Sequence, residues 1–164
     1  MSKGSTVAKP KVYLETTVIS YLVARPSKDS IINGHQRITK AWWKRDRKNF
    51  EMYVSQAVLR EISKGNPHFA SLRLKMVKAL PSLASTAEVE RMADIFVHQG
   101  PIPPKVAEDA LHISFAAVHG MHYLLTWNCR HIANAYIRER LEKICLSQGM
   151  RLPIICTPDE LRRI

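Results

Sequence analysis

The chain lacks most of the features that would tie it to a disulfide-stapled, membrane-bound or nucleotide-cradling class. Only three cysteines occur in 164 residues, Cys129, Cys145 and Cys156, and no two form a C-x-x-C pair. An odd count without a secretion signal suits free thiols in a reducing compartment, so disulfides are not expected. The longest strongly apolar stretches, such as Val18 to Ala24, fall well short of the roughly 20 residues that cross a bilayer. Met1 to Lys11 has no apolar segment of the secretory type, so the expected location is the cytoplasm, with no membrane partner. The six glycines build neither a phosphate-binding loop nor a G-x-S-x-G elbow. Nucleotide kinase, dinucleotide oxidoreductase and serine hydrolase chemistry therefore have no support. Acidic residues are scarce, 14 Asp plus Glu against 25 Lys plus Arg, so each one that falls at a structurally privileged position stands out.

What is present describes an ordinary globular chain with a strong positive bias. Hydrophobic residues make up 46% and charged residues 24%, which allows a sizeable core and excludes a disordered composition. Residues 1–10, rich in Lys, Ser, Gly and Thr, read as a flexible leader, and 11–164 as one domain. The formal charge of +11 favours a polyanionic partner such as nucleic acid or an acidic protein segment, or else a basic surface kept for solubility.

Strand and helix signals alternate. Lys11-Val-Tyr-Leu-Glu15 has the β-branched, apolar character of a buried strand, and Thr16 and Thr17 can cap a helix that Arg25-Pro26 stops. A helix over Asp29 to Asn49 leads into a strand, Phe50 to Ser55, and then a helix from Gln56 to Lys64 with Gly65 at its end. Helical spacing follows over Pro67 to Leu80 and Thr86 to Gln99, with a brief strand at Leu83-Ala84 between them. After the rigid Pro101 to Pro104 loop come a helix from Lys105 to His119 and a strand from His122 to Thr126. A last helix, Ala135 to Gln148, precedes a final strand, Pro153 to Thr157, and a basic end, Glu160 to Ile164. This order predicts an α/β fold, a mainly parallel sheet with helices on both faces and functional groups at the carboxyl ends of its strands.

Three carboxylates fall at such ends or on a helix beside one: Glu15 after the first strand, Glu61 on the helix after the second, and Asp109 in the helix before the fourth. Clustered carboxylates repel one another unless protonated or neutralised, and a hard divalent cation such as Mg²⁺ or Mn²⁺ is the usual neutraliser. Spacing of tens of residues leaves open whether the three meet or stand as separate solvated acids and caps.

Four segments resemble the successive motifs of PIN-domain nucleases, in the family's order. They are Val12-Tyr-Leu-Glu-Thr-Thr-Val-Ile-Ser20, Val54-Ser-Gln-Ala-Val-Leu-Arg-Glu-Ile62, Asp109-Ala-Leu-His-Ile-Ser-Phe-Ala-Ala117 and Tyr123-Leu-Leu-Thr-Trp-Asn-Cys-Arg-His-Ile132. The nearest group is the toxin ribonucleases of bacterial type II toxin–antitoxin pairs. The resemblance implies a PIN-like three-layer α/β/α domain and hydrolysis of RNA phosphodiesters with Mg²⁺ or Mn²⁺. It also implies a cognate antitoxin as partner and, by analogy, a homodimer. It assigns Glu15, Glu61 and Asp109 to the metal, puts Asn128 in the fourth acidic position, and has Thr16 and Thr126 orient the carboxylates. Two positions depart from the family pattern. Glu15 replaces the usual Asp and sets its carboxylate one methylene further out. Asn128 can hold a water but brings no charge, so one resident ion is expected; a second, if one is used, would arrive with the substrate phosphate.

Lys105 and Arg130, close to the acidic positions in the motifs, are candidates for phosphate contacts. Trp42-Trp43-Lys-Arg-Asp-Arg-Lys48 could stack on single-stranded RNA, but burial of one tryptophan or its use in an interface is favoured. His119, His122, Cys129 and His131 fit no zinc spacing, and His112 is expected to pack near the site rather than to bind metal. The rival function is a catalytically weak domain of the same type that binds RNA or a protein without cutting.

Overall fold

The computed structural model describes residues 8–162, so the expected leader 1–10 and basic end lie partly outside the described residues. β1 (Lys11–Leu14) pairs with β2 (Glu51–Ser55) on one side and β4 (Tyr123–Leu125) on the other. β3 (Ser82–Leu83) extends the sheet beyond β2, and β5 (Ile154–Cys156) extends it beyond β4. The order is β3-β2-β1-β4-β5, and every pairing is parallel. The central strand explains the composition of its segment: Val12, Tyr13 and Leu14 are fully buried, as a strand covered on both faces requires.

The helices are carried by the crossovers. α1 (Thr16–Val23) and α2 (Ser30–Arg45) join β1 to β2, and α3 (Gln56–Ile62) and α4 (Pro67–Val77) join β2 to β3. α5 (Ala87–His98) and α6 (Ala107–Val118) return the chain from β3 to β4, and α7 (Ala135–Ser147) joins β4 to β5. The chain winds outward from β1 in one direction, then jumps back and winds outward in the other. Right-handed crossovers consequently put α1 to α4 on one face and α5 to α7 on the other, which makes three layers. The reversal falls between β1 and β4, and the crevice outside the carboxyl ends of such a pair is where doubly wound sheets bind ligands.

Local chemistry sets most helix starts: Asp29, Ser55, Asn66, Thr86 and Asn134 each accept first-turn N–H groups through a side-chain oxygen. α1 corrects the expectation that Thr16 or Thr17 caps it. Glu15 is the extended residue before the helix and its carboxylate accepts the Thr17 N–H, while Thr16 is already helical. Gly65 and Gly120 sit at positive φ (84° and 64°) where α3 and α6 must turn back, a conformation that side chains with a Cβ disfavour.

Several boundaries also shift. α2 ends at Arg45 and a short 3-10 turn covers Arg47–Asn49, α4 stops at Val77, and Lys105 lies in a 3-10 turn (Pro104–Val106) ahead of α6. Trp42 is fully buried, its indole N–H donating to the Leu161 carbonyl at 2.6 Å, and is therefore not a stacking platform. Trp43 is partly covered, with the Arg47 guanidinium 4.7 Å from its ring. All three cysteines are free, and burial pushes the Cys145 and Cys156 thiols up to about 11 and about 12. Among the described residues, no helix is long and apolar enough to cross a membrane.

Candidate functional site

At the carboxyl edge of β1 the chain turns from strand to helix at Glu15, which is only 4% exposed. One carboxylate oxygen, Oε2, accepts three hydrogen bonds: the Thr17 N–H at 3.1 Å, the Thr17 hydroxyl at 2.5 Å and the Thr126 hydroxyl at 2.7 Å. Thr126 lies just beyond β4, and the Thr17 oxygen also accepts the Trp127 N–H at 2.9 Å, so the ends of β1 and β4 are tied together around this acid. No hydrogen bond within the described residues reaches the other oxygen, Oε1.

Glu61 approaches from the last turn of α3. Its Oε2 accepts the Thr16 hydroxyl in a very short hydrogen bond and faces His112 Nε2 at 3.2 Å, while its Oε1 likewise carries no hydrogen bond from the described residues. His112 is held from the opposite side by the Tyr13 hydroxyl, 2.8 Å from Nδ1, and Tyr13 in turn meets the Ser55 hydroxyl at 2.8 Å. Partial burial pushes the Glu61 carboxyl up, but the His112 hydrogen bond and charge, the Thr16 hydroxyl and the Lys64 ammonium outweigh it. The net result lies below the ordinary carboxylate value. Burial pulls the His112 imidazole down, yet its bond to Glu61 and the fields of Glu15, Glu61 and Asp109 raise it above its usual value. For Tyr13, burial dominates and holds the phenol well above its ordinary value, so it stays a donor.

Asp109 and Asn128 form the other half. Asp109, in the first turn of α6, accepts the Asn128 amide N–H at Oδ1, 3.0 Å away, and pairs with His131 Nδ1 at Oδ2, also 3.0 Å away. The Asn128 amide oxygen accepts the His131 backbone N–H at 3.1 Å, which fixes the amide with its nitrogen toward Asp109. Asn128 thus presents a donor, not an oxygen, to the nearest carboxylate.

Glu15 and Glu61, far apart in sequence, meet beside the imidazole of His112, which also feels the charge of Asp109. Glu15, Glu61 and His112 each offer a ligating atom within 4.8 Å of the others. Asp109 is not part of that group, and both its oxygens are engaged, by Asn128 and His131. Two carboxylates this close carry a repulsion that a cation relieves, and their open oxygens are hard donors, so the chemistry of the donor set fits Mg²⁺ or Mn²⁺.

Lys105 and Arg130 are exposed, the first on the 3-10 turn before α6 and the second two residues after Asn128. Lys64, whose charge reaches Glu61, is a cation that reading the sequence passed over. Thr17, expected only as a helix cap, Tyr13, and His131, weighed only for zinc, also belong to the site. His131 lies three residues after Asn128, a spacing that could have tied it to the site; His112 packs beside Glu61, in line with the expectation that it lies near the site, and Tyr13 reads only as a core residue of β1. Of the zinc-like set, His119 faces the Ala84 carbonyl, His122 accepts the Lys11 N–H and His131 is paired with Asp109, so the four residues do not share one centre.

No family model and no curated protein matches the sequence. Solved structures do match its fold. A chain of VapBC2 from Rickettsia felis, determined with a DNA fragment from their promoter, aligns at a TM-score of 0.54 and 14% identity, covering 90% of this chain and 98% of that one. VapC20 from Mycobacterium tuberculosis, a Sarcin-Ricin loop cleaving toxin, aligns at a TM-score of 0.51 and 14% identity over 69% of this chain and 86% of that one. The chain has the PIN fold of these toxin structures.

Proposed function

We propose that this chain is a metal-dependent endoribonuclease, the toxin of a toxin–antitoxin pair, that hydrolyses RNA phosphodiester bonds at the Glu15, Glu61 and Asp109 centre. One observation carries the reading. Glu15 and Glu61, side by side at the topological switch point, are each pinned through Oε2 while Oε1 is left open. Carboxylates held this way are preorganised for a divalent ion before substrate arrives. Glu15 and Glu61 would hold Mg²⁺ or Mn²⁺, with Asp109 completing the set and Asn128 keeping Asp109 in place. When bound, the ion supplies positive charge that offsets the charge growing on the phosphate oxygens and makes water a better nucleophile. Thr16, Thr17 and Thr126 keep the carboxylates oriented, and Lys64, Lys105 and Arg130 supply phosphate-facing charge on a chain of net +11. In this reading the other partner is a cognate antitoxin, as the VapBC2 likeness suggests, and a homodimer accompanies it.

A second reading, a domain that binds RNA or a protein without cutting, draws on the Asp109 half, where Asn128 brings no charge and His131 occupies an oxygen. An RNA cleavage assay on the purified chain separates the two. Cleavage with Mg²⁺ or Mn²⁺, stopped by EDTA and abolished in Asp109→Asn, is expected. RNA binding unchanged by EDTA, with no cleavage at any metal concentration, would sink the nuclease reading.

A further inference from the structure

A buried chain of side chains reaches the acidic centre from the core and ends at His112. Ser55, Tyr13 and His112 are 0%, 0% and 1% exposed, so each of their polar hydrogens must find its partner within the chain. Ser55 Oγ already accepts the Val58 N–H at 3.2 Å as the cap of α3, and its own hydroxyl hydrogen has Tyr13 Oη as neighbour at 2.8 Å. With Ser55 donating to Tyr13, the Tyr13 hydroxyl donates to His112 Nδ1, and the imidazole proton sits on Nε2, facing Glu61 Oε2 at 3.2 Å. Running the chain the other way would strand the Ser55 hydrogen, since the described residues hold no other acceptor for it.

We propose that His112 is a positioning residue whose Nε2–H pins Glu61 Oε2 and leaves Oε1 to the divalent ion, so that His112 is a donor to the centre and not a ligand of it. This rests on the metal-binding part of the proposed function. A nitrogen that carries a proton has no lone pair for a cation, so although His112 lies within ligating distance of Glu15 and Glu61, the donor set stays all oxygen. An all-oxygen set favours Mg²⁺ and Mn²⁺ over Zn²⁺, and that preference is a property of the Ser55–Tyr13–His112 chain as much as of the acids. Asp109 and His112 stand one turn apart on α6, so one helix face supplies both a carboxylate and the group that aims another.

The test uses the full chain and needs no RNA. Mn²⁺ affinity is measured by calorimetry for the wild type, His112→Gln, His112→Leu and Tyr13→Phe, with thermal melting to confirm folding. The expected result is that His112→Gln, whose amide still reaches Glu61 as a donor, stays within about 3-fold of wild type, whereas His112→Leu binds roughly 10- to 100-fold more weakly. Tyr13→Phe keeps the ring and loses about 3- to 10-fold, which tests the proposal should His112→Leu fail to fold. NMR of the imidazole nitrogens in metal-free protein, at a pH above the raised value where the ring is neutral, should show its single proton on Nε2. A proton on Nδ1 alone, nitrogen directly bound to Mn²⁺ in the electron spin-echo spectrum, or His112→Leu and Tyr13→Phe both binding like wild type would overturn the proposal. Wild-type protein that takes up no Mn²⁺ would overturn it too, whereas Mn²⁺ uptake without RNA cleavage counts against the nuclease reading alone.

Discussion

Glu15, just beyond β1, and Glu61, on the last turn of α3, are held by hydroxyl and imidazole donors, whereas Asp109, on the first turn of α6, and Asn128, in the loop after β4, hold one another. In the first pair each acid has one oxygen fixed and one open. In the second, both oxygens of the acid are occupied, one of them by the partly exposed His131. The contrast teaches that four similar positions along a chain need not be four equal ligands. Rigid support and an open lone pair coincide only in the Glu15 and Glu61 half.

The largest break in this comparison should come from setting the loss of an acid of the first pair against the loss of the amide of the second. Glu15→Gln or Glu61→Gln is expected to lower single-turnover RNA cleavage at least about 100-fold, the scale on which one preorganised electrostatic group acts. Asn128→Ala, which removes the hydrogen bonds to Asp109 and from the His131 N–H but no charge, should cost roughly 10-fold. A loss from Asn128→Ala as large as from either glutamate would show that the amide contributes as much as the first pair.

A smaller effect follows from Asn128→Asp. It sets a second carboxylate against Asp109 in place of a donated N–H, and the metal-free protein should melt roughly 2–4 °C lower, about 1 kcal/mol for a chain of this size. Saturating Mn²⁺ should return that loss. A variant that melts like wild type without metal would mean that the Asn128 to Asp109 bond contributes nothing.

The smallest effect concerns pH. Glu61 titrates below its ordinary 4.5, so its contribution to stability is present above that value and is lost as pH falls through its depressed value. His112 titrates above its ordinary 6.5, so its contribution is complete below that value and fades as pH rises through the raised one. The pair therefore adds most between pH 4.5 and 6.5. Denaturant unfolding of metal-free protein should show a gain in that window that His112→Gln lacks; identical pH profiles for the two proteins would remove this account.

Much of the fold was legible because it is written in short-range chemistry. The β-branched run of β1 and the positive-φ turn at Gly65 act over a few residues. The exact helix ends were less so, as at Val77 and Arg45, because packing decides where the last turn unwinds. β3 is only two residues long and pairs at Ser82–Leu83 rather than at Leu83-Ala84, its register set by Val54 and Ser55 across the sheet. Within the site, the motifs marked Glu15, Glu61, Asp109 and Asn128. They said nothing of His131 reaching Asp109, or of Tyr13 carrying a hydrogen bond to His112, because such contacts span tens of residues and leave no periodic trace.

The sequence by itself determined the alternation of strands and helices, the excess of positive charge, and the placing of acids at strand ends and helix starts, since each follows from local sterics, capping and composition. Tertiary structure alone decided the strand order β3-β2-β1-β4-β5, the meeting of Glu15 with Glu61, which oxygen of each is open, and which way the Asn128 amide turns. Those outcomes depend on what surrounds each side chain once water is excluded, where an unpaired donor or a bare charge costs too much for any other arrangement to persist.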